Sequence, residues 1–563
     1  MDKNQIIGFS LIAAILVVFT IINKPSEEEI AKQQRVEDSL AALTVEPETT
    51  IKESNAQLTA GNDSSKSNNL SVTPNENEKS FELNNEKLSV SISNHGGKIS
   101  FLKLNEFKRA DSSELVLVNL KEGVNQFGFT YGNGNNTDDL WFEKIESTDK
   151  MIKLRANIDG GSLDHIFTLS DEQDYVVNFE SNWNGASPQK LVWTQNILQQ
   201  EYKAENERMK TTVYFKETGE HPDYVSERKD EDDEEIGEES RVDWISFKQH
   251  FFNQTIVPVS GFESGYLKQD WQEDDPYIRE LHASMNLVES NSHKFKMIFV
   301  PNQYHTLKQY DIELHRVVNL GWGIFGWVNR FAVIPVFRLL NNFTDNYGII
   351  ILILTIIFKG VLLFFTYKSF QSGAKMRVLK PELDAIKKKN DGDMQAQQQE
   401  QMKLYQATGV SPFGGCLPLL VQMPILLALF NFFPNSFELR QQPFLWAHDL
   451  STYDSIYEFG FSIPGYGDHI SLFALLMTIT TFVYTVINQS YQPPQQKELK
   501  YLPYFMPIIF LTFLNSYSAA LSYYYFLANL FSIGQTFLFK AFVDEDKLRA
   551  KIEDKKKSKA APG

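Results

Sequence analysis

The residue best placed to do chemistry here is a lysine inside an apolar run. Tyr347 to Thr366 reads YGIIILILTIIFKGVLLFFT, and Lys359 is its one full charge. At about 1.5 Å per residue the run can cross a hydrocarbon core ~30 Å thick. An ionised side chain at that depth costs at least ~2.5 kcal/mol unless water or a partner reaches it. Snorkelling to the headgroups is one way out. Counting along a helix, however, Lys359 lies about 12 Å from Tyr367, farther than a lysine stem comfortably spans. Thr355 and Thr366 share its helical face, so this span is expected to have a wet side. A cavity holding Lys359 and Thr355, with Gln422 and Tyr524 or Tyr525 from later spans, would give a polar chain segment water and hydrogen bonds part-way through the bilayer. Its positive charge would favour acidic segments.

Other chemistries lack their residues. There is no HExxH, no G-x-S-x-G and no Walker-type phosphate loop, so neither a catalytic reaction nor a cofactor is expected. Cys416 is the single cysteine, which excludes an intrachain disulfide and a cysteine-rich metal site. His250 has no acidic or cysteine partner at a recognisable spacing and is expected to be structural. Trp183, Trp193 and Trp271 could line a sugar groove, but core packing is the expected role.

The elements that must position Lys359 follow from charge and periodicity. Net charge is −17 over 563 residues, and Asn23 to Arg316 holds about 22 more acids than bases, leaving a surplus of about five bases elsewhere. An acidic part outside and basic loops inside fit the positive-inside rule and argue against sequence-specific nucleic-acid binding. Residues 1–22 contain an apolar run, Ile6 to Ile22, expected to be a retained membrane anchor, and 23–80, rich in Ser, Asn, Glu and Thr, a disordered linker. From 81 to 316 the period is two, as in Leu88–Ser93 and His165–Leu169, with Leu115–Leu120 and Tyr175–Phe179 as more buried strands; this predicts an all-β sandwich. The acidic run Arg228–Ser240 is expected to be a solvated loop.

Residues 317–345 contain an apolar stretch with Arg330, Arg338 and Pro335, expected to lie along the membrane surface. Residues 346–540 are expected to hold five spans, six with the anchor, both termini being cytoplasmic. The later ones are Leu417–Phe433, Ile470–Ile487, and Leu502–Phe539 broken at Asn515–Ser518. Within this part, 368–411 predicts a cytoplasmic coiled-coil hairpin. Met376, Leu379, Leu383 and Ile386 form its seam, Met402 and Tyr405 are weaker members, and Asn390–Asp393 is the turn. A basic tail, 541–563, closes the chain.

Ordered short motifs carry a resemblance. They include Asn346-Tyr347-Gly348, Thr355 to Gly360, Ala374 to Arg377, Pro412-Phe-Gly-Gly-Cys-Leu-Pro418, Gln422-Met-Pro424, Glu438-Leu-Arg440, Pro443-Phe444, His448 to Ser451 and Tyr524-Tyr525. In these the chain resembles the YidC/Oxa/Alb family of membrane protein insertases, in its form with a large periplasmic domain. Gly96-Gly97 and Trp244…Gln249-His250-Phe251 resemble that domain less strongly. The resemblance implies a multi-domain membrane protein, a periplasmic β-supersandwich beside a six-span helical part, in the bacterial inner membrane. It implies an insertase and chaperone for nascent membrane proteins, working alone or with the SecYEG/SecDF translocon, the ribosome and a signal-recognition receptor. Lys359 stands where better-known members have arginine, which keeps the charge but loses the planar fork. The third and fifth spans would form the slide touched by incoming helices, here Pro418, Pro424, Phe430, Phe505 and Phe510.

Two other classes fit the residues. A secondary transporter could hold an anion on an intramembrane lysine, although no second copy of the 347–366 pattern is present. An envelope module could bind glycan through its β domain and use the spans as anchors.

Overall fold

The computed structural model describes residues 78–273, 275–391, 393–411, 417–463, 466–489 and 502–560. The expected anchor and most of the linker, the core of the Pro412–Pro418 block, and the loop 490–501 lie outside the described residues.

Alternation of buried and exposed side chains builds the β domain. Met151–Ile158 and Arg279–Leu287 bury every second residue almost without exception. A four-stranded sheet over 80–119 accompanies a fifteen-stranded one whose antiparallel ladder ends on Glu143–Ser147. The large sheet closes over itself. Phe129, near one end of the ladder, meets Phe179 and Phe295 from distant strands, each with centroids 6.1 Å away. Trp183 is buried in that core, and Trp193 is stacked on Phe247 with centroids 3.6 Å apart. Trp271 lies under the Arg208 guanidinium. The acidic run is not all loop, because Asp232–Ile236 pairs antiparallel with Gly265–Gln269. A peripheral strand can leave its carboxylates in solvent while its backbone pairs, and Ile236 supplies the buried anchor.

The helical part begins with α1 (Gly323–Val328), a five-residue π-type turn (Asn329–Val333) and α2 (Ile334–Asn341). The turn brings Asn329 inward, where its Nδ2 donates to the carbonyls of Leu320 and Ala428. Helix α3 (Tyr347–Val378) is capped by the Asn346 side chain and runs unbroken past Thr366. The arms of the hairpin are therefore α4 (Lys380–Lys389) and α5 (Met394–Thr408). Next come α6 (Leu417–Asn435), α7 (Leu472–Gln489), α8 (Leu502–Leu514) and α9 (Ala519–Phe542), and α10 (Glu545–Ala560) ends the described chain. The break between α8 and α9 is held from outside. Buried Asn515 accepts from the Ser471 amide and donates to the His469 carbonyl, while Leu450 and Thr452 carbonyls take the first amides of α9. Gly348 lets Phe444 lie on α3, because a Cβ there would fall 2.0 Å from the ring.

Among the described residues, two stretches can cross a membrane by length and composition, Gly323–Asn341 and Tyr347–Val378. A third does so if α9 and α10, bent by 67°, act as one span; α6, α7 and α8 include shorter apolar helices. The β domain and the helices are not separately packed. One buried cluster joins Trp244, Val300, Leu307 and Leu320 to Leu354, Phe433, Phe473 and Tyr524.

The hairpin seam also has a third side. Met376, Leu379 and Leu383 pack with Leu404, Tyr405 and Ile552, so α10 covers them; Ile386 is half-buried at the edge, and Met402 is exposed. Lys556–Glu382 and Arg377–Glu545 pairs flank the contact at 2.7 and 2.8 Å. The basic tail is thus largely an element of this small core. Ending the chain before Glu545 should bare the seam and speed limited proteolysis between 380 and 408 by about tenfold, since short helices depend on tertiary burial. Unchanged cleavage would mean that α10 contributes no stability.

Candidate functional site

Lys359 is 6% exposed on α3 and its Nζ donates to Ser532 Oγ of α9 at 2.8 Å. Ser532 can accept because its own proton goes to the Ala528 carbonyl at 2.9 Å. Among the described residues no carboxylate pairs with Lys359 and no other side chain accepts from it, which leaves two ammonium donors for water or an incoming group. Asn529 Nδ2 donates to Thr481 Oγ1 of α7 at 2.7 Å, and Tyr484 interacts with Ser532 and Asn488. A polar seam therefore joins α3, α7 and α9. Its signal lay in the sequence as a repeated spacing. Thr481, Tyr484 and Asn488, like Asn529, Ser532 and Thr536, stand at i, i+3, i+7 and line one helical face.

The structure gathers only part of the expected set. Thr355 is fully buried and turned onto its own helix, its Oγ1 donating to the Ile351 carbonyl at 2.7 Å. Gln422 is half-buried on α6. Tyr524 is 2% exposed between Phe433 and Tyr525, about two turns along α9 from Ser532, and belongs to the core shared with the β domain. Of the expected slide, Phe505 and Phe510 are 60% and 48% exposed, while Phe430 is half-buried and stacked on Tyr517. Pro424 lies inside the continuous α6, and the Pro418 side chain lies outside the described residues.

A second cluster, which the sequence did not signal, joins the β domain to the end of α6. Arg440 Nε donates to Glu201 at 2.6 Å, and its Nη2 to the Lys108 carbonyl at 2.7 Å; both side chains are buried. Lys210 Nζ donates to the Pro434 carbonyl at 2.9 Å, with His250 Nε2 at 2.9 Å from it and 2.7 Å from the same carbonyl. His250, expected to be structural, thus sits at this junction. Pro434 lies in the last turn of α6, where carbonyls lack helical partners, so the β domain caps that helix. Glu207 is fully buried and accepts from the Gln200 and Glu201 amides.

Burial, with the nearby charge of Glu201, pushes the Glu207 carboxyl up to about 8, and burial lowers Lys210 to about 7. A carboxyl raised on folding contributes stability that is full below its unfolded value of about 4 and lost as pH rises through its folded one. Glu207→Gln should therefore stabilise the fold progressively more between pH 5 and pH 8. Thermal midpoints across that range test this, and parallel curves for the two proteins would refute it.

An apolar helical bundle whose buried lysine meets no carboxylate among the described residues, sharing its core with a large β domain, defines a helical membrane protein rather than a soluble domain with an anchor. Residues 80–332 match the YidC periplasmic domain, and 339–546 match the 60Kd inner membrane protein family. The membrane protein insertase YidC of Parabacteroides distasonis is 36% identical over 99% of this chain and 95% of its own, and that of Bacteroides fragilis is 36% identical over 99% and 94%. A crystal structure of an active YidC insertase with its first transmembrane domain resolved is 16% identical, covering 82% of this chain and 92% of that one at a TM-score of 0.34. The chain belongs to the YidC family of membrane protein insertases. It is an inner-membrane protein with a periplasmic β domain, and the family is one of insertases rather than enzymes.

Proposed function

We propose that this protein inserts hydrophobic segments of nascent membrane proteins into the inner membrane, moving their polar flanks along the seam around Lys359. A hydrophobic segment gains by entering lipid; the barrier is the polar flank that must cross it. The carrying observation is that Lys359 is buried against a neutral hydroxyl, with two donors that meet no acceptor among the described residues. A flank carboxylate or peptide carbonyl arriving there gains charge-assisted hydrogen bonds that are strong in a dry setting. Phe505, Ile508, Phe510 and Phe513 give α8 an uncovered apolar face against which an incoming helix can lie.

In this reading 346–540 holds five spans, with the hairpin cytoplasmic and both termini inside. Residues 317–345 lie along the periplasmic surface, a placement supported by the exposed Trp322, Trp327, Phe331 and Phe343. The hairpin with α10 is the docking element for a ribosome or signal-recognition receptor, and the Sec translocon is a partner for larger clients. The test is photo-crosslinking from positions 505 and 510 to an arrested nascent chain, together with insertion of a single-span client into proteoliposomes. The expected result is crosslinks at both positions and protease-protected client. Absence of insertion by folded protein would overturn the reading.

A further inference from the structure

A cavity of about 220 Å³ lies where α2, the segment 302–320 of the β domain and the end of α6 meet. Its walls carry two opposite charges that do not meet. Arg338 of α2 is exposed to it and makes no hydrogen bond or ion pair with any described residue. Glu438, just beyond α6, accepts from Ser436 Oγ at 2.9 Å and from Gln303 Nε2 at 3.5 Å, and has no cationic partner among the described residues. Asn341, whose side chain also hydrogen-bonds Tyr347, lines the space too, and its Oδ1 has no hydrogen-bond partner among the described residues. Ile334 and Phe337 supply apolar wall. The segment beside the cavity leaves apolar side chains uncovered on α1, on the π-type turn and just after α2: Trp327 is 59% exposed, Phe331 65% and Phe343 78%.

We propose that this cavity holds the headgroup of a zwitterionic phospholipid with a primary ammonium, phosphatidylethanolamine, drawn from the periplasmic leaflet. A phosphate matches the free Arg338 fork, whose donors suit planar recognition of its oxygens. An ammonium with three donors matches Glu438 and the unpaired Asn341 oxygen. A quaternary ammonium could not donate to these acceptors, and an anionic glycerol headgroup would bring no cation to Glu438. The acyl chains would lie along the exposed face of α1 and α2. The site rests on the proposed placement of 317–345 at the membrane surface, not on the insertion step.

The test is native mass spectrometry of the full chain, released from nanodiscs of equal parts phosphatidylethanolamine, phosphatidylglycerol and phosphatidylcholine. One retained phosphatidylethanolamine is expected, favoured about tenfold over either competitor, as a few charged hydrogen bonds allow. Arg338→Ala should abolish retention of any lipid, Arg338→Lys should restore part of it, and Glu438→Gln should remove the preference while leaving retention. Thermal midpoints of the variants control for folding. Equal retention of the three lipids by the wild type, or retention unchanged in Arg338→Ala, would overturn the proposal. So would displacement by soluble glycerophosphoethanolamine at matched concentration, which would make the ligand a free solute. Client insertion by the wild type in liposomes lacking phosphatidylethanolamine is measured in parallel, so failure of the lipid site and failure of the insertase reading are separable.

Discussion

Lys359→Glu is expected to lower the insertion rate of clients with acidic flanks by about tenfold or more, the largest effect of any single substitution in the helical part. In the proposed mechanism it reverses the buried charge on the seam and presents a carboxylate along the path taken by an acidic flank. Lys359→Arg keeps the charge at the same depth and should remain active. Lys359→Leu should pack at least as well as the wild type, because an intramembrane charge is removed and Ser532 keeps its bond to Ala528. Its insertion defect should nonetheless fall on acidic, polar flanks and spare short neutral ones. Protease protection in proteoliposomes gives the rates, with the thermal midpoint of each variant as control. Wild-type rates for acidic flanks in stable Leu and Glu variants would reduce Lys359 to a structural charge.

Arg440→Ala should be the most destabilising single change at the junction. It leaves Glu201 buried without its cation and the Lys108 carbonyl without its charged donor. Removing one partner of a buried pair costs about 3–5 kcal/mol, a fall of roughly 3–4 °C in thermal midpoint for a protein of this size. Because the pair is isolated from water, Glu201→Gln on the Arg440→Ala background should recover a large share of the loss. A double variant no more stable than Arg440→Ala would mean that the cost comes from lost packing. For the same reason, removing the β domain should expose the apolar core around Phe433 and Leu354 that it helps cover.

Much of this was legible from local pattern. Period-two alternation announced the β domain, and the helix break at Asn515–Ser518 followed from a run too long for one span. The hairpin seam was visible in the 3, 4, 3 spacing of Met376, Leu379, Leu383 and Ile386, yet its third side was not, because the basic composition of 545–560 hides the single anchoring Ile552. The strand within the acidic run was missed because backbone pairing leaves no mark on charged side chains that point outward. Lys359 stood out by cost, whereas its partner lies 173 residues away and Glu201 lies 239 residues from Arg440. Nothing in the neighbourhood of either residue encodes such a meeting.

The cap on Pro434 has a mechanical consequence. Helix α6 is a beam clamped at one end, gripped by Lys210 and His250 at its last turn and by Asn329 at Ala428. A clamped beam deflects least at its support and progressively more toward its free end. Its weak section is at Pro424, where the ring removes one backbone hydrogen bond. In the proposed mechanism, strain from a passing segment would therefore be taken up as bending between Pro424 and Leu417, with the end under the β domain held still. The massive β domain would serve as the foundation that makes this deflection one-sided.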